Sequence, residues 1–379
     1  MRGKIIAFGA YDLRKPRVRL LLDAIRRAGA LEREIHIAGW NKVAQTNVPS
    51  KLAFLGVLLR MAFAYPGALW RLIRSPRHAT ILLPYPGIVE IFLIAPLAWV
   101  MRRTLVLDAF LPIYDTIVID RGLAKPGGLI AAMIWRFERL ALRLADIVLV
   151  DTDSHGEYFA CEFGIDSARF HTVLVGAEEQ FFSQSAHGSV DDLLGPEDGR
   201  PIVLFYGQLI PLHGVPTILE AAKIYDGPEA RWVVIGLGQL EPLLREATAE
   251  PESSPVEWIE WVEYERLPAV IARADVCLGV FGASDKAARV IPNKLFQQLA
   301  VGKPVITRES PAVDGLAARF PNILRTVPAN DPRALANVVK SALIKGSELL
   351  PLPAISLAEL SPDAGVLRLL KRLDDQAAT

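Results

Sequence analysis

A chain of 379 residues is longer than one ordinary hydrophobic core requires and predicts two domains of about 150 to 200 residues each. Its 51% apolar content can fill both cores, and its two cysteines, Cys161 and Cys277, exclude a disulfide scaffold or a cysteine-rich zinc module and fit a reducing compartment. The net charge of zero hides an asymmetry: residues 1–107 hold 17 basic and 5 acidic side chains, the remainder 25 and 37. A basic N-terminal part points to an anionic partner. Because no nucleic-acid-binding module accompanies it, the expected partner is an anionic membrane surface and not nucleic acid.

Along the chain, Met1-Arg2-Gly3-Lys4 runs straight into Ile5-Ile6-Ala7-Phe8, which reads as a first buried strand rather than the apolar region of a signal peptide. Further strands are expected over 34–38, 79–83, 104–107, 147–150 and 170–175. A second series covers 202–206, 231–235, 256–259, 276–280 and 304–307. Alternation of such strands with helical periods predicts an α/β protein of two Rossmann-like domains. The Ser, Gly, Asp and Glu-rich segment 183–200 reads as a linker between an N-terminal domain, 1–182, and a C-terminal domain, 201–354. Residues 355–379 end in a helical pattern.

Two apolar stretches bear on membranes. Residues 87–101 are too few to span a bilayer and contain Glu90 and Pro96, so a buried helix is expected. Residues 51–78 mix large apolar side chains with Arg60, Arg71, Arg74 and Arg77. They suit either an interfacial helix pair on anionic lipid or a pair packed on the sheet with solvated arginines.

The most informative stretch, 276–307, reads as strand, polar loop, helix, strand. Pro292 is expected at the first helical position, followed by Asn293 and Lys294. A helix N-terminus attracts anions, and Lys286, Arg289 and Lys294 gather beside this one. Elsewhere, Phe205-Tyr206-Gly207-Gln208 runs into a loop with His213 and Gly214, and Gly236-Leu237-Gly238 follows another strand. Asp108 stands at a strand end, where functional side chains of α/β sheets gather. It reads equally well as a structural carboxylate, as His213 reads as a capping histidine and Trp261 as a packed aromatic. Asp151, Asp153 and His155 fit a helix N-cap segment, and no metal site is expected. Hydrolase-elbow, Walker and Cys–His signatures are absent.

The run Arg289-Val290-Ile291-Pro292-Asn293-Lys294-Leu295-Phe296-Gln297 through Gly302-Lys303-Pro304-Val305-Ile306 resembles the donor-binding segment of family 4 glycosyltransferases of the GT-B fold. Gln297 stands where that family has Glu, and Arg289 where its partner Glu belongs. Phe205 to Val215 is similar to the family's Gly-Arg-Leu-x-x-x-Lys-Gly segment, with Gln208 in place of the Arg and His213 in place of the Lys. The resemblance implies two Rossmann-like domains facing across a cleft and a terminal helix returning to the N-terminal domain. It also implies metal-free, retaining transfer from a nucleotide sugar, which is substrate rather than cofactor.

On this reading Gly9, Gln208, His213, Lys286, Arg289 and Lys294 meet the donor diphosphate. Gly236, Gly238, Trp261, Glu263 and Gln297 meet the nucleoside, and Asp108 lies near the reacting centre. Arg14, Arg17, Arg60, Arg71, Arg74 and Arg77 form an acceptor or membrane face. The acceptor is a lipid-linked or membrane glycan, and the location is cytoplasmic, peripheral on the inner face of the cytoplasmic membrane. Two alternatives stay open: a non-catalytic GT-B relative that partners an active transferase, and a GT-B sugar-nucleotide epimerase.

Overall fold

The computed structural model describes residues 4–37, 63–120, 122–182, 188–250, 254–344 and 360–378. The chain forms two compact units, Met1–Val175 with Ser361–Thr379, and Gly176–Leu360. Among the described residues no helix is long and apolar enough to cross a membrane.

In the first unit, β1 (Ile5–Gly9), β2 (Leu31–His36), β3 (Thr80–Leu83), β4 (Leu105–Asp108), β5 (Ile147–Val150) and β6 (Phe170–Thr172) form one parallel sheet in the order β2-β1-β3-β4-β5-β6. Every residue of β1, β3, β4 and β5 is buried, as parallel strands covered on both faces must be. On one face lie α1 (Pro16–Arg27) and the chain's last helix, whose Val366, Leu369 and Leu373 share a core with Val18, Leu21 and Ile25. The other face carries α2 (residues 63–73), α3 (Ile91–Val100), α4 (Leu129–Leu144) and α5 (Asp153–Phe163). Edge strand β2 begins at Leu31, earlier than the apolar pattern suggested, because Glu32 and Arg33 face solvent and break the run.

The stretch expected as a buried helix is buried on one side only. Ile91, Ile94, Ala95 and Ala98 of α3 enter the core, whereas Leu93, Trp99 and Val100 are exposed.

The second unit repeats the plan with β7 (Ile202–Tyr206), β8 (Arg231–Ile235), β9 (Glu257–Ile259), β10 (Val276–Leu278), β11 (Val305–Arg308) and β12 (Leu324–Val327). They are all parallel, in the order β12-β11-β10-β7-β8-β9. Strand β12 escaped the sequence reading because its middle residues, Arg325 and Thr326, lie half-buried at the sheet edge and interrupt the apolar pattern. Its helices are α6 (Asp191–Leu194), α7 (Val215–Ile224), α8 (Glu241–Ala247), α9 (Leu267–Arg273), α10 (Asp285–Arg289), α11 (Asn293–Val301), α12 (Pro311–Arg319) and α13 (Pro332–Ile344). The last helix, α14 (Asp363–Ala378), belongs to the first unit. There Arg27 pairs with Asp363 at 2.8 Å, and a Cβ on Gly365 would lie 2.9 Å from the Val173 backbone.

The boundary falls earlier than composition suggested. Ala177 N–H donates to Leu360 O at 2.9 Å, and Tyr264 OH donates to Glu178 Oε1 at 2.7 Å, so the chain from Gly176 packs in the second unit. The described part of the expected linker, 188–200, is held down as well. Arg266 pairs with Asp192, and Arg273 with Asp191, because the acidic residues read as solvated linker face arginines of the same unit.

Candidate functional site

The second unit gathers the candidate residues where β7 and β8 end. Gly207, directly after β7, has φ +133°, and a Cβ there would lie 3.0 Å from Lys294 Nζ and 3.6 Å from His213 Cε1. Lys294 comes from the first turn of α11. Its side chain is buried, its ammonium stands 3.9 Å from the centroid of the Phe205 ring, and among the described residues Nζ has no hydrogen-bond partner. Burial holds its pKa well below the ordinary lysine value. The position is doubly adverse for a cation, being dry and at the positive end of a helix. Both penalties lift when an anion arrives.

The loops around this point are built from glycine. A Cβ on Gly236 would lie 1.9 Å from Gly207 O, and one on Gly214 would lie 2.5 Å from the Phe281 carbonyl carbon. These glycines serve backbone-to-backbone packing: Gly207 N–H donates to Ile235 O, Leu209 N–H to Leu237 O and Phe281 N–H to His213 O. Gly238 likewise packs on Leu209, so the close approach expected for a ligand at Gly236 and Gly238 is already used by the 207–209 loop.

His213 meets the carbonyl of Gln208 through Nδ1, which therefore carries the proton. Burial and then the neighbouring Lys294 push its pKa down to about 3, so the ring is neutral and Nε2 presents a lone pair. The hydrogen bond expected from His213 to a phosphate is thus not available from the neutral ring.

Gln297 is buried and engaged at both ends. Its Oε1 accepts from Tyr206 OH at 3.0 Å, and its Nε2 donates to Tyr264 OH at 2.9 Å, which in turn donates to Glu178. The ribose contact expected of this amide competes with that chain of bonds. Tyr206 was signalled by its place beside Gly207, but nothing in the sequence pointed to Glu178.

Around the site, Pro292 caps α11 from outside, so Asn293 is the first helical residue. The polar loop expected within 276–307 instead enters α10, whose N-cap Ser284 accepts from Ala287 N–H at 3.2 Å. Helix α10 packs against the 211–213 turn and carries buried Lys286 and half-buried Arg289. Trp261 and Glu263 are exposed beyond β9, and Gln208 is exposed on its loop.

In the first unit the structure reassigns several residues. Asp108, 2% exposed, pairs with the equally buried Arg17 through Nη2 at 2.7 Å and Nε at 3.1 Å, and Arg17 also donates to the Val173 carbonyl. Asp108, expected near the reacting centre, and Arg17, expected on an acceptor or membrane face, thus neutralise each other inside the protein. At Gly9 the place expected for a phosphate is taken by the chain's own carboxylate. A Cβ there would lie 2.2 Å from Glu90 Oε2, while Glu90 Oε1 accepts from Ala10 N–H at 2.7 Å and from Tyr65 OH. A lone acid inside the apolar run 79–101 was the sequence signal for a buried, partnered charge.

Arg14 is exposed and clasps Asp12 through two bonds of 2.9 Å. Arg71, Arg74 and Arg77 are exposed, and Arg60 lies outside the described residues. His155 bonds Asp151 at 2.6 Å, and Thr152 caps α5 by accepting from His155 N–H. Among the described residues no three His, Cys, Asp or Glu side chains gather to hold a metal ion.

With this geometry in view, residues 200–344 match the family model described as "Glycosyl transferases group 1". No curated protein matches the sequence. Among solved structures, HepE of Anabaena in complex with UDP is 14% identical with a TM-score of 0.63, covering 99% of this chain and 98% of its own. Sucrose-phosphate synthase of Thermosynechococcus elongatus is 16% identical with a TM-score of 0.68, covering 99% of each. The UDP-forming α,α-trehalose-phosphate synthase of Burkholderia vietnamiensis is 13% identical with a TM-score of 0.58, covering 99% of this chain and 96% of its own. These likenesses extend the GT-B architecture over both units, and the match to the group 1 glycosyl transferase model lies within the second unit.

Proposed function

We propose that this protein is a glycosyltransferase that moves a sugar from a nucleoside-diphosphate sugar to a hydroxyl group of a membrane-associated or lipid-linked acceptor, in the synthesis of a glycan or surface polysaccharide. The observation that carries the reading is Lys294, buried beside Gly207 at the first turn of α11 and, among the described residues, without a hydrogen-bond partner for its Nζ. A diphosphate placed there would favour its charged form and accept its N–H bonds. HepE, which is similar in fold, is named in complexes with UDP and with UDP-glucose, and this makes a UDP-sugar the first donor to try.

In the transfer, the bond from the sugar C1 to the diphosphate oxygen breaks and a bond from C1 to the acceptor oxygen forms. The acceptor's proton passes to the departing diphosphate. The chain's part is to bind and neutralise the diphosphate and to hold the sugar in place. Metal-free chemistry, retention of configuration and a station on the cytoplasmic face of the membrane belong to the same reading. Supporting the acceptor class is the excess of basic residues in the N-terminal part.

The test is turnover of UDP-glucose and related donors with a lipid-linked acceptor extract, with and without EDTA, followed by release of UDP. Acceptor-dependent release insensitive to EDTA supports the reading. Interconversion of the sugar without release supports the epimerase, and absence of both supports a non-catalytic partner.

A further inference from the structure

We propose that the outward sides of α2, α3 and α4 form a docking surface that seats the first unit on a bilayer containing anionic lipid. The inference deepens the membrane-associated acceptor of the proposed function and rests on that reading. It moves the membrane contact from the segment 51–78 to a face built mainly by α3 and α4.

Helix α3 has no charged residue from Ile91 to Val100. A helix on a protein surface ordinarily turns a polar side to water. This one turns Leu93, Trp99 and Val100, with Trp99 82% exposed. Helix α4 repeats the pattern at helical spacing with Leu129, Met133, Phe137 and Leu140, and Leu129 is 76% exposed. The two helices adjoin, the rings of Phe92 and Phe137 lying 4.9 Å apart. On the other side α2 runs alongside α3: Tyr65 bonds Glu90 at one end, and Arg103 bonds the Leu72 and Ser75 carbonyls at the other. It adds exposed Trp70 and Ile73. Scattered surface apolar residues need no explanation, but three neighbouring helices with apolar outward sides do.

Charge selects the occupant. Glu138 is the only acidic residue in these three helices, and it is fully buried. Their exposed charges are Arg71 on α2 and Arg136 and Arg143 on α4, all positive, and Arg74 follows directly after α2. Arg77, Arg102 and Lys125 in the adjoining loops are exposed too, against Asp146 after α4, which accepts from Leu105 N–H. Two copies of this face set against each other would bring arginines together, whereas anionic headgroups would pair with them while the apolar side chains enter the interface. The Arg74 guanidinium already lies 4.0 Å from the Trp70 ring, an arrangement suited to that boundary.

The test uses the full chain and vesicles of phosphatidylcholine alone or with phosphatidylglycerol, read by co-sedimentation. Binding to the phosphatidylglycerol vesicles, weakened by salt, is expected. The double variant Trp99→Asp/Met133→Asp should lower it by about tenfold or more, and Arg136→Glu/Arg143→Glu should abolish the preference for anionic lipid. Both variants change exposed side chains, so thermal unfolding and stabilisation by UDP should be unaltered. Wild-type protein that leaves vesicles unbound, or binding that Trp99→Asp/Met133→Asp leaves intact, overturns the proposal. A concentration-dependent dimer abolished by those changes also overturns it and assigns the face to a second copy. Failure of the transferase reading shows separately, as absence of UDP release from any donor.

Discussion

Lys294 points its ammonium at the face of the Phe205 ring, 3.9 Å from the centroid, and among the described residues forms no hydrogen bond there. A cation–π contact of this kind offsets only part of the cost of burying an ammonium. Replacement by an apolar side chain of similar length separates stability from function. Lys294→Met should leave the fold as stable or stabilise it by about 1 kcal/mol or more. The same change should cut kcat/KM for the donor by about 100-fold or more. Denaturant unfolding and donor kinetics check the pair.

The depressed pKa of Lys294 also predicts a proton linkage. Burial lowers the pKa of Lys294 and a bound diphosphate raises it again, so binding takes up a proton at any pH between the free and bound values. Donor affinity therefore rises as pH falls through that window. Calorimetric titration of UDP in two buffers of different ionisation enthalpy, at mildly alkaline pH, should show uptake in wild type and none in Lys294→Met.

Restoring the carboxylate of the resembled family at position 297 should not improve the enzyme. Gln297 donates to Tyr264 OH, which donates onward to Glu178. A carboxylate there has no proton to give and sets a second negative charge against Glu178. Gln297→Glu should destabilise the second unit by about 1 to 3 kcal/mol without raising turnover. Chemical denaturation with and without UDP reads the outcome.

Arg17 and Asp108 hold α1, β4 and the end of β6 together from inside the first unit. Removing one partner strands the other, so Asp108→Ala should cost about 3 to 5 kcal/mol. The double change Arg17→Met/Asp108→Leu should recover most of that loss. A catalytic Asp108 would instead give a stable protein with lost turnover, and unfolding curves beside kinetics tell the two apart.

Glu138 accepts from Ile113 and Tyr114 N–H, each at 2.7 Å, and burial raises its pKa from 4.5 to about 7. Between those values the unfolded chain has released this proton while the folded unit still holds it. Its contribution is thus fully present at low pH and lost as pH rises toward about 7. Glu138→Leu should be less stable, because two N–H groups lose their acceptor, yet its stability should fall less steeply with rising pH. Urea unfolding across that range measures both.

The amino-acid sequence by itself determined the α/β class and most of the strands, because a parallel sheet covered on both faces demands continuous apolar runs such as Ile5–Phe8, Ile147–Val150 and Ile202–Tyr206. Edge strands such as β12 were not legible, since a half-buried strand carries no such run. Lys294 at the start of α11 stood out in the sequence as a cation at a helix N-terminus, whereas the packing that the loop glycines serve appears only in the fold.

Only tertiary structure decided what each charged group faces. Arg17 and Asp108 are 91 residues apart and cancel, Glu90 fills the place beside Gly9, and Gln297 is bound to a tyrosine 33 residues earlier. Composition counts such groups as available, but Coulomb and hydrogen-bond energies depend on distance and burial, which the chain acquires only when folded. The apolar outward side of α3 follows the same rule. Periodicity showed an apolar helix, and only the packing of Ile91, Ile94 and Ala98 fixed which side was left to the surroundings.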